Sequence, residues 1–438
     1  MTSTAAESTG DTSEHTGRCP YSYPFDRPSA MGVAREYREI QEHEAVGRVQ
    51  MPSGDRAYLV TRYDDVRTVL SDPRFSRAAT LAEGAPRLGP APQNFPTLLN
   101  MDPPDHNRVR KMISGTFTSR RVAVLEPHVT GLVEQYLDEM IEAGPTADLV
   151  EMFASRLPVQ VICELLGVPM SDREQFGAWS RAFLATTTAE YTAEQVQQAQ
   201  GALFVYLTEL IASKRANPQD DILSDLVVQN DAKGAISELE LTFLGVSLLV
   251  AGHETTVNMI ANGVFALMLD PAAAELLRSR PEIVDTAVEE LLRLFGPGTE
   301  GLLRIAAEDV ELSGVRIPAG SAVLPSLIAA NRDENRYPGA EHLDLERKDV
   351  PHLSFSHGPH FCIGAALARA ELRVSFNEIL RRLPGLALAI PAADVPRPEG
   401  LLVNGVSSLP VTWDADAARA VPSRPLSEST RSTSGEAP

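Results

Sequence analysis

Cysteine is nearly missing from this chain: 438 residues contain only Cys19, Cys163 and Cys362. An odd number of cysteines so far apart argues against a disulfide framework and fits a reducing cytoplasm. Basic residues are also in deficit, 39 against 59 acidic, and the net charge of -20 removes polyanions such as nucleic acid as general partners. Only a local basic patch remains open. The opening residues, MTSTAAESTGDTSEHTG, lack both a basic start and an apolar run, so no secretory signal is read there and a cytoplasmic location is expected. No linker or repeat interrupts the middle of the chain, which points to one large domain over residues 21–413. Residues 1–20 and 414–438 are rich in Ser, Thr, Ala and Pro with few bulky apolar side chains, and both are expected to be disordered.

What is present is ordinary globular material, 43% apolar and 22% charged, enough to bury a sizeable core. One run, Leu241 to Leu269, is long enough to cross a bilayer. His253, Glu254, Thr255, Thr256 and Asn258 at its centre would be costly in lipid, so it reads as a long helix through a protein core and no membrane is expected. Helical periodicity also marks HNRVRKMISGTF, EPHVTGLVEQYLDEMIEA, SDREQFGAWSRAFLATT, AEQVQQAQGALFVYLTELIASKRA and PEIVDTAVEELLRLF, and a last helix from near Gly364 to about Leu383. A hairpin is expected around Ser53-Gly54-Asp55, and further strands near Ser313-Gly314 and Pro318-Ala319-Gly320. The fold class is mainly α with a minor β portion.

Cys362 sits in FSHGPHFCIGAALARAEL, Phe355 to Leu372, and its chemistry has four readings. A free cysteine is commonly a small buried apolar residue. Zinc could draw on His352, His357, His360 and Cys362, although structural zinc usually takes ligand pairs from separated elements and no second cysteine pair exists. A nucleophile would gain from a position just ahead of a helix, but no protease signature surrounds it. A thiolate ligand to haem iron needs an unpaired Cys on an open loop, followed by small residues that let a flat macrocycle approach, and Gly364, Ala365 and Ala366 stand there.

The run from Phe355 through Gly358 and Cys362 to Gly364 resembles the haem-binding loop of the bacterial, soluble cytochrome P450 family. Ala251-Gly252-His253-Glu254-Thr255-Thr256 is similar to its oxygen-binding signature, and Glu290-Leu-Leu-Arg293 to its Glu-x-x-Arg motif. The family's third partner to that motif is usually an Arg, whereas AEHLDLER offers His342 at the corresponding place. The resemblance extends from about Pro24 to Trp413 and implies the fold of that family.

It further implies haem b, with Cys362 as axial thiolate, Phe355 and Gly364 in its loop, and His106, Arg110, Arg304 and His360 on the haem propionates. Ala251 and Gly252 would lie among the cofactor-binding residues, a Gly and a Thr together would let the helix distort and open a groove for a diatomic ligand, Thr255 would hydrogen-bond dioxygen, and Glu254 would relay protons inward. The chain has no flavin or nicotinamide fingerprint and no cysteine set for an iron–sulfur cluster, so NAD(P)H electrons are expected through an external ferredoxin and its reductase. Arg108, Lys111, Arg120, Arg121 and Arg373 are candidates for a basic docking face.

The substrate pocket implied by the resemblance involves the loop Arg77 to Asn100, with Phe95 and Leu99, and also Phe183, Leu184, Val246, Leu249, Val250, Glu300, Leu302 and Val403. A natural-product scaffold, free or tethered to a carrier protein, is the expected substrate, and hydroxylation or a related oxidation the expected reaction. GAPRLG and GTEGLLRIA resemble members acting on cyclic dipeptides, and LLVAGHETTVNMIANG resembles those acting on macrolides. Oxidative C–C or C–N coupling on the same haem, and a non-catalytic haem protein that binds a ligand, are the alternatives. A pure binder has no need of the Glu254-Thr255 pair.

Overall fold

The computed structural model describes residues 20–26, 32–89, 97–183, 191–298, 301–397, 403 and 405–424. The apolar run becomes the helix Glu238–Leu269. Its start is fixed by a capping box: Ser237 Oγ accepts from the Glu240 N–H, while the Glu240 carboxylate accepts from the Ser237 N–H at 2.7 Å. Asp270 ends it and caps the next helix, Pro271–Ser279, by accepting from the Ala273 N–H at 3.0 Å. A helix apolar on all sides must be enclosed, and this one is. The helices Arg156–Leu166, Arg173–Phe183, Ala193–Ala216, Val284–Phe295 and Ala365–Arg382 pack around it. It is the described helix long and apolar enough to span a bilayer, and 72% of its most apolar window is buried inside the fold.

The helix Ser119–Ala143 packs along Ala365–Arg382 and completes the main core, where fully buried side chains such as Phe153, Phe265 and Phe376 each contribute about 1.5–3 kcal/mol. The β portion lies to one side. A sheet of six strands runs in the order Tyr21–Ser22, Gly47–Gln50, Arg56–Val60, Ala322–Pro325, Arg304–Ala306, Phe75–Ser76. The expected hairpin is its second and third strands, paired from Gly47 with Leu59 to Gln50 with Arg56. The Ser313-Gly314 turn joins Val310–Leu312 to Val315–Ile317 in a separate hairpin. The last long helix spans Ala365–Arg382, within a residue of its expected limits.

The C-terminal boundary differs from expectation. Residues 415–420 form a helix capped by Asp414, Ala418 is buried, and the Arg424 N–H donates to Glu134 Oε1 at 3.0 Å. Arg382, Asp138 and Ser423 extend that contact, so the segment to Arg424 is docked by charge despite its low apolar content.

Candidate active site

Cys362 stands on the loop between the short 3-10 turn Gly358–His360 and the helix Ala365–Arg382. The loop is held by the Cys362 N–H, which donates to the Phe355 carbonyl at 2.8 Å, and by Gly358 at φ +69°, whose absent Cβ would meet the Leu70 carbonyl at 2.9 Å. The following helix has no side-chain cap, and its first glycine leaves a backbone N–H to bond the sulfur: Gly364 lowers the thiol pKa in this way, as do the charges of Arg110 and Arg369. Burial acts against them and is the larger effect, so the thiol alone is raised above its ordinary value. Yet Cys362 has exposed surface. A side chain that is crowded by neighbours and still accessible lies in a recess open to a ligand.

The central helix Glu238–Leu269 also carries accessible surface amid buried residues. Ala251 is exposed in the middle of an otherwise buried helix. Among the partly accessible positions along that helix, Phe243, Ser247 and Thr255 make with Ala251 one stripe at four-residue spacing. Thr255 Oγ1 donates to the Ala251 carbonyl at 2.7 Å, and Gly252 lies where a Cβ would press Ile162 at 2.9 Å. Behind the stripe, Glu254 and His253 are buried, with His253 Nδ1 3.5 Å from Glu254 Oε1. Desolvation pushes the Glu254 carboxyl up to about 7, with Arg181 pulling the other way, and desolvation holds His253 at about 4.

Near the Cys362 recess the fold buries cations without enough acid to match them. Arg304 begins the strand Arg304–Ala306 and is 3% exposed, with its Nη1 on the Leu302 carbonyl at 2.9 Å. Arg77, equally buried, donates to the carbonyls of Leu99 and Leu303 and to Asn100 Oδ1. Burial lowers both guanidinium pKa values, to about 10 and about 9, and Arg304 further depresses Arg77. His106 and His360 lie with ring centroids 4.5 Å apart and planes tilted by 52°, and His106 Nε2 is buried with no hydrogen-bond partner. Desolvation, then His106, Arg304 and Arg77, drive His360 down to about 3. Asp102 is the acid acting on this group, and its carboxylate already accepts from Ser76 Oγ and the Arg77 and Ala78 N–H groups. Such a set favours bound carboxylates. Haem fits these residues: an accessible thiol with small residues after it, an accessible stripe on the central helix, and donors for two propionates.

The structure brings together most of the expected residues. Arg110 is half-buried beside the cysteine loop, its Nη2 on the Phe361 carbonyl at 2.5 Å. Phe355 is buried and anchors the loop. Leu99 is 43% exposed, and Phe183 and Leu302 are partly buried. Val246, Leu249 and Val250, expected in the pocket, are buried in the main core, whereas Ser247 on the same helix, absent from the expected residues, is partly accessible. Val403 is buried. Phe95, Leu184 and Glu300 lie outside the described residues.

The Glu-x-x-Arg motif needs a correction. Glu290 and Arg293 pair through two contacts of 2.8 Å at zero side-chain exposure, and the third member is Arg347, with Nε 3.1 Å from Glu290 Oε1. His342 contributes only its backbone carbonyl. The expected basic face is also largely neutralised: Arg108 pairs with Glu240, Arg121 with Asp225, and Arg373 with Glu126 and Asp285.

The family model described as Cytochrome P450 matches residues 33–387. The chain is 46% identical to the mycinamicin IV hydroxylase/epoxidase of Micromonospora griseorubida, covering 90% of this chain and 99% of that protein. It is 44% identical to the nocardicin C N-oxygenase of Nocardia uniformis subsp. tsuyamanensis, covering 90% of this chain and 98% of that one. Among solved structures, that of HinD with NMFT and NO has a TM-score of 0.86 at 43% identity, covering 91% of this chain and all of the other.

Proposed function

The chain belongs to the cytochrome P450 monooxygenase family, which uses haem and dioxygen with electrons delivered from outside, and we propose that it oxidises a secondary-metabolite scaffold at a haem held by Cys362. The observation that carries the residue assignment is the buried set Arg77, Arg304, His106 and His360, whose two guanidinium groups share the carboxylate of Asp102 and whose His106 Nε2 has no hydrogen-bond partner, beside the accessible Cys362. Bound haem would supply reductive activation of dioxygen, in the balance R–H + O2 + 2 electrons + 2 protons giving R–OH and water.

Cys362 ligates through its thiolate, whose charge the Gly364 N–H, Arg110 and Arg369 stabilise. Arg304, His106, Arg110 and His360 would hold the propionates, while Arg77 ties Asn100 to the backbone at Leu303. Protons pass through Glu254, whose carboxyl titrates near neutral pH and so both accepts and releases a proton under working conditions. The Thr255 hydroxyl turns from the Ala251 carbonyl to donate to the bound ligand. Electrons arrive from NAD(P)H through a ferredoxin and reductase, and the low cysteine content supports a cytoplasmic setting. Relatives named for mycinamicin IV and nocardicin C support a natural product as substrate.

A Soret-region titration of the purified protein tests this reading. A low-spin band that shifts to high spin with one class of natural product, and is lost in Cys362→Ala, is the expected result. A thiolate-type haem spectrum that survives Cys362→Ala would overturn the assignment.

A further inference from the structure

Adjacent acids on the helix Val284–Phe295 serve different partners. Glu290 belongs to the buried triad, whereas Glu289 turns to the cysteine loop. Its oxygens receive Arg369 Nε at 2.6 Å and Nη2 at 2.8 Å, a bidentate pair. His352 Nε2 lies 3.2 Å from the same carboxylate, and His352 Nδ1 accepts from the Ser354 N–H at 3.2 Å. His352 Nε2 approaches Glu289 without hydrogen-bond geometry, so Arg369 is the side chain that grips the carboxylate. Burial opposes ionisation of Glu289, but Arg369 and His352 overcome it and hold the carboxyl at about 2.

Arg369 lies on the helix that follows Cys362. Its guanidinium sits 4.6 Å above the Phe355 ring, and the Phe355 carbonyl accepts the Cys362 N–H. Two arginine charges therefore act on the sulfur, and they differ. Arg110 bonds a carbonyl and has no acidic hydrogen-bond partner among the described residues, while Arg369 is matched by Glu289.

Resting on the haem-thiolate reading, we propose that Glu289 and Arg369 are positioning residues that form a charge-matched pair setting the potential at Cys362. Glu289 offsets part of a cationic charge that the thiolate would otherwise feel in full. Reduction of bound haem adds one electron from the external donor and one negative charge at the iron, so any unmatched nearby charge changes how readily it occurs. Freeing Arg369 favours the reduced state; removing Arg369 leaves Glu289 unmatched and disfavours it.

The test is a redox titration of the holoenzyme in Glu289→Gln, Arg369→Gln and the double variant. Glu289→Gln is expected to shift the midpoint potential upward and Arg369→Gln downward, with the double variant back near the parent value. A purely structural anchor would shift both single variants in one direction and the double variant furthest; that result, or no shift, overturns the proposal. Arg369→Lys keeps the charge on a compact head and covers the case in which Arg369→Gln loses haem: its potential should stay near the parent, and a large downward shift overturns the proposal. The ferrous carbon monoxide spectrum of the parent is the control for the underlying reading, since loss of thiolate ligation there is a failure of the haem assignment and not of the pair.

Discussion

Arg347 closes on Glu290 from outside the helix that carries it, with Nε 3.1 Å from Oε1, and its remaining nitrogens bind the carbonyls of Pro338, Gly339 and His342. Glu290 thus balances Arg293 and Arg347 together, and Arg293 in turn ties the carbonyls of Asn331 and Ala340 to the helix. Because Arg293 is fully enclosed, Glu290→Gln strands a buried charge and should destabilise the protein by about 3–5 kcal/mol. Arg347→Met leaves the inner pair intact and should cost less. His342→Ala should be near neutral, because only its carbonyl is used. Denaturant melts of these variants check the order.

The cation set at the haem edge gives a second prediction. Arg304 is held without a matching acid of its own, so Arg304→Leu should lower haem retention while leaving the haem-free protein as stable as the parent, or more so. Haem occupancy by absorbance and melting of haem-free protein measure the two effects separately. Equal loss of both would mean that Arg304 is a fold element alone.

The long-range pairings explain what the sequence reading found and missed. The helix Glu238–Leu269 and the helix after Cys362 were legible because apolar periodicity and caps are local signals. Arg156–Leu166 was not, since Pro158 in its first turn resembles a breaker although the first turn tolerates proline. Cys362, Glu254 and Thr255 stood in motifs with fixed spacing. Arg347 lies 57 residues from Glu290, and His342 was closer to the expected place in the string, but only the folded meander decides which side chain turns inward. Pocket positions on the central helix meet a related difficulty: the run is apolar on every side, so composition alone does not separate the partly accessible Ser247 from the buried Leu249.

That distinction is itself testable. Leu249 is 1% exposed in the main core, and Leu249→Ala should destabilise by about 2–5 kcal/mol without selectively altering ligand-induced spin shifts. Ser247 is on the accessible stripe, one turn before Ala251. Ser247→Phe should weaken those shifts for bulky ligands with little change in melting temperature. The reverse pattern would return the pocket to the face first expected.

Glu254 supplies the last prediction, because its chemistry couples stability to turnover. Its carboxyl is raised from 4.5 to about 7, chiefly by desolvation, with Arg181 opposing. The contribution of the protonated acid to stability is therefore complete below the unfolded value and is lost as pH rises through 7. Glu254→Gln removes that titration, so the parent should lose up to about 3 kcal/mol relative to the variant between acid and alkaline pH. The same substitution removes the group that exchanges protons near neutrality. Product formed per NAD(P)H should fall in Glu254→Gln, its dependence on pH should flatten, and Thr255→Ala should raise peroxide release as reducing equivalents are consumed without product. Stability-versus-pH curves and coupling measurements on the same preparations are decisive: a pH-dependent stability difference with unchanged coupling would make Glu254 a buried acid that merely titrates, and would move proton delivery to another route through the distal wall.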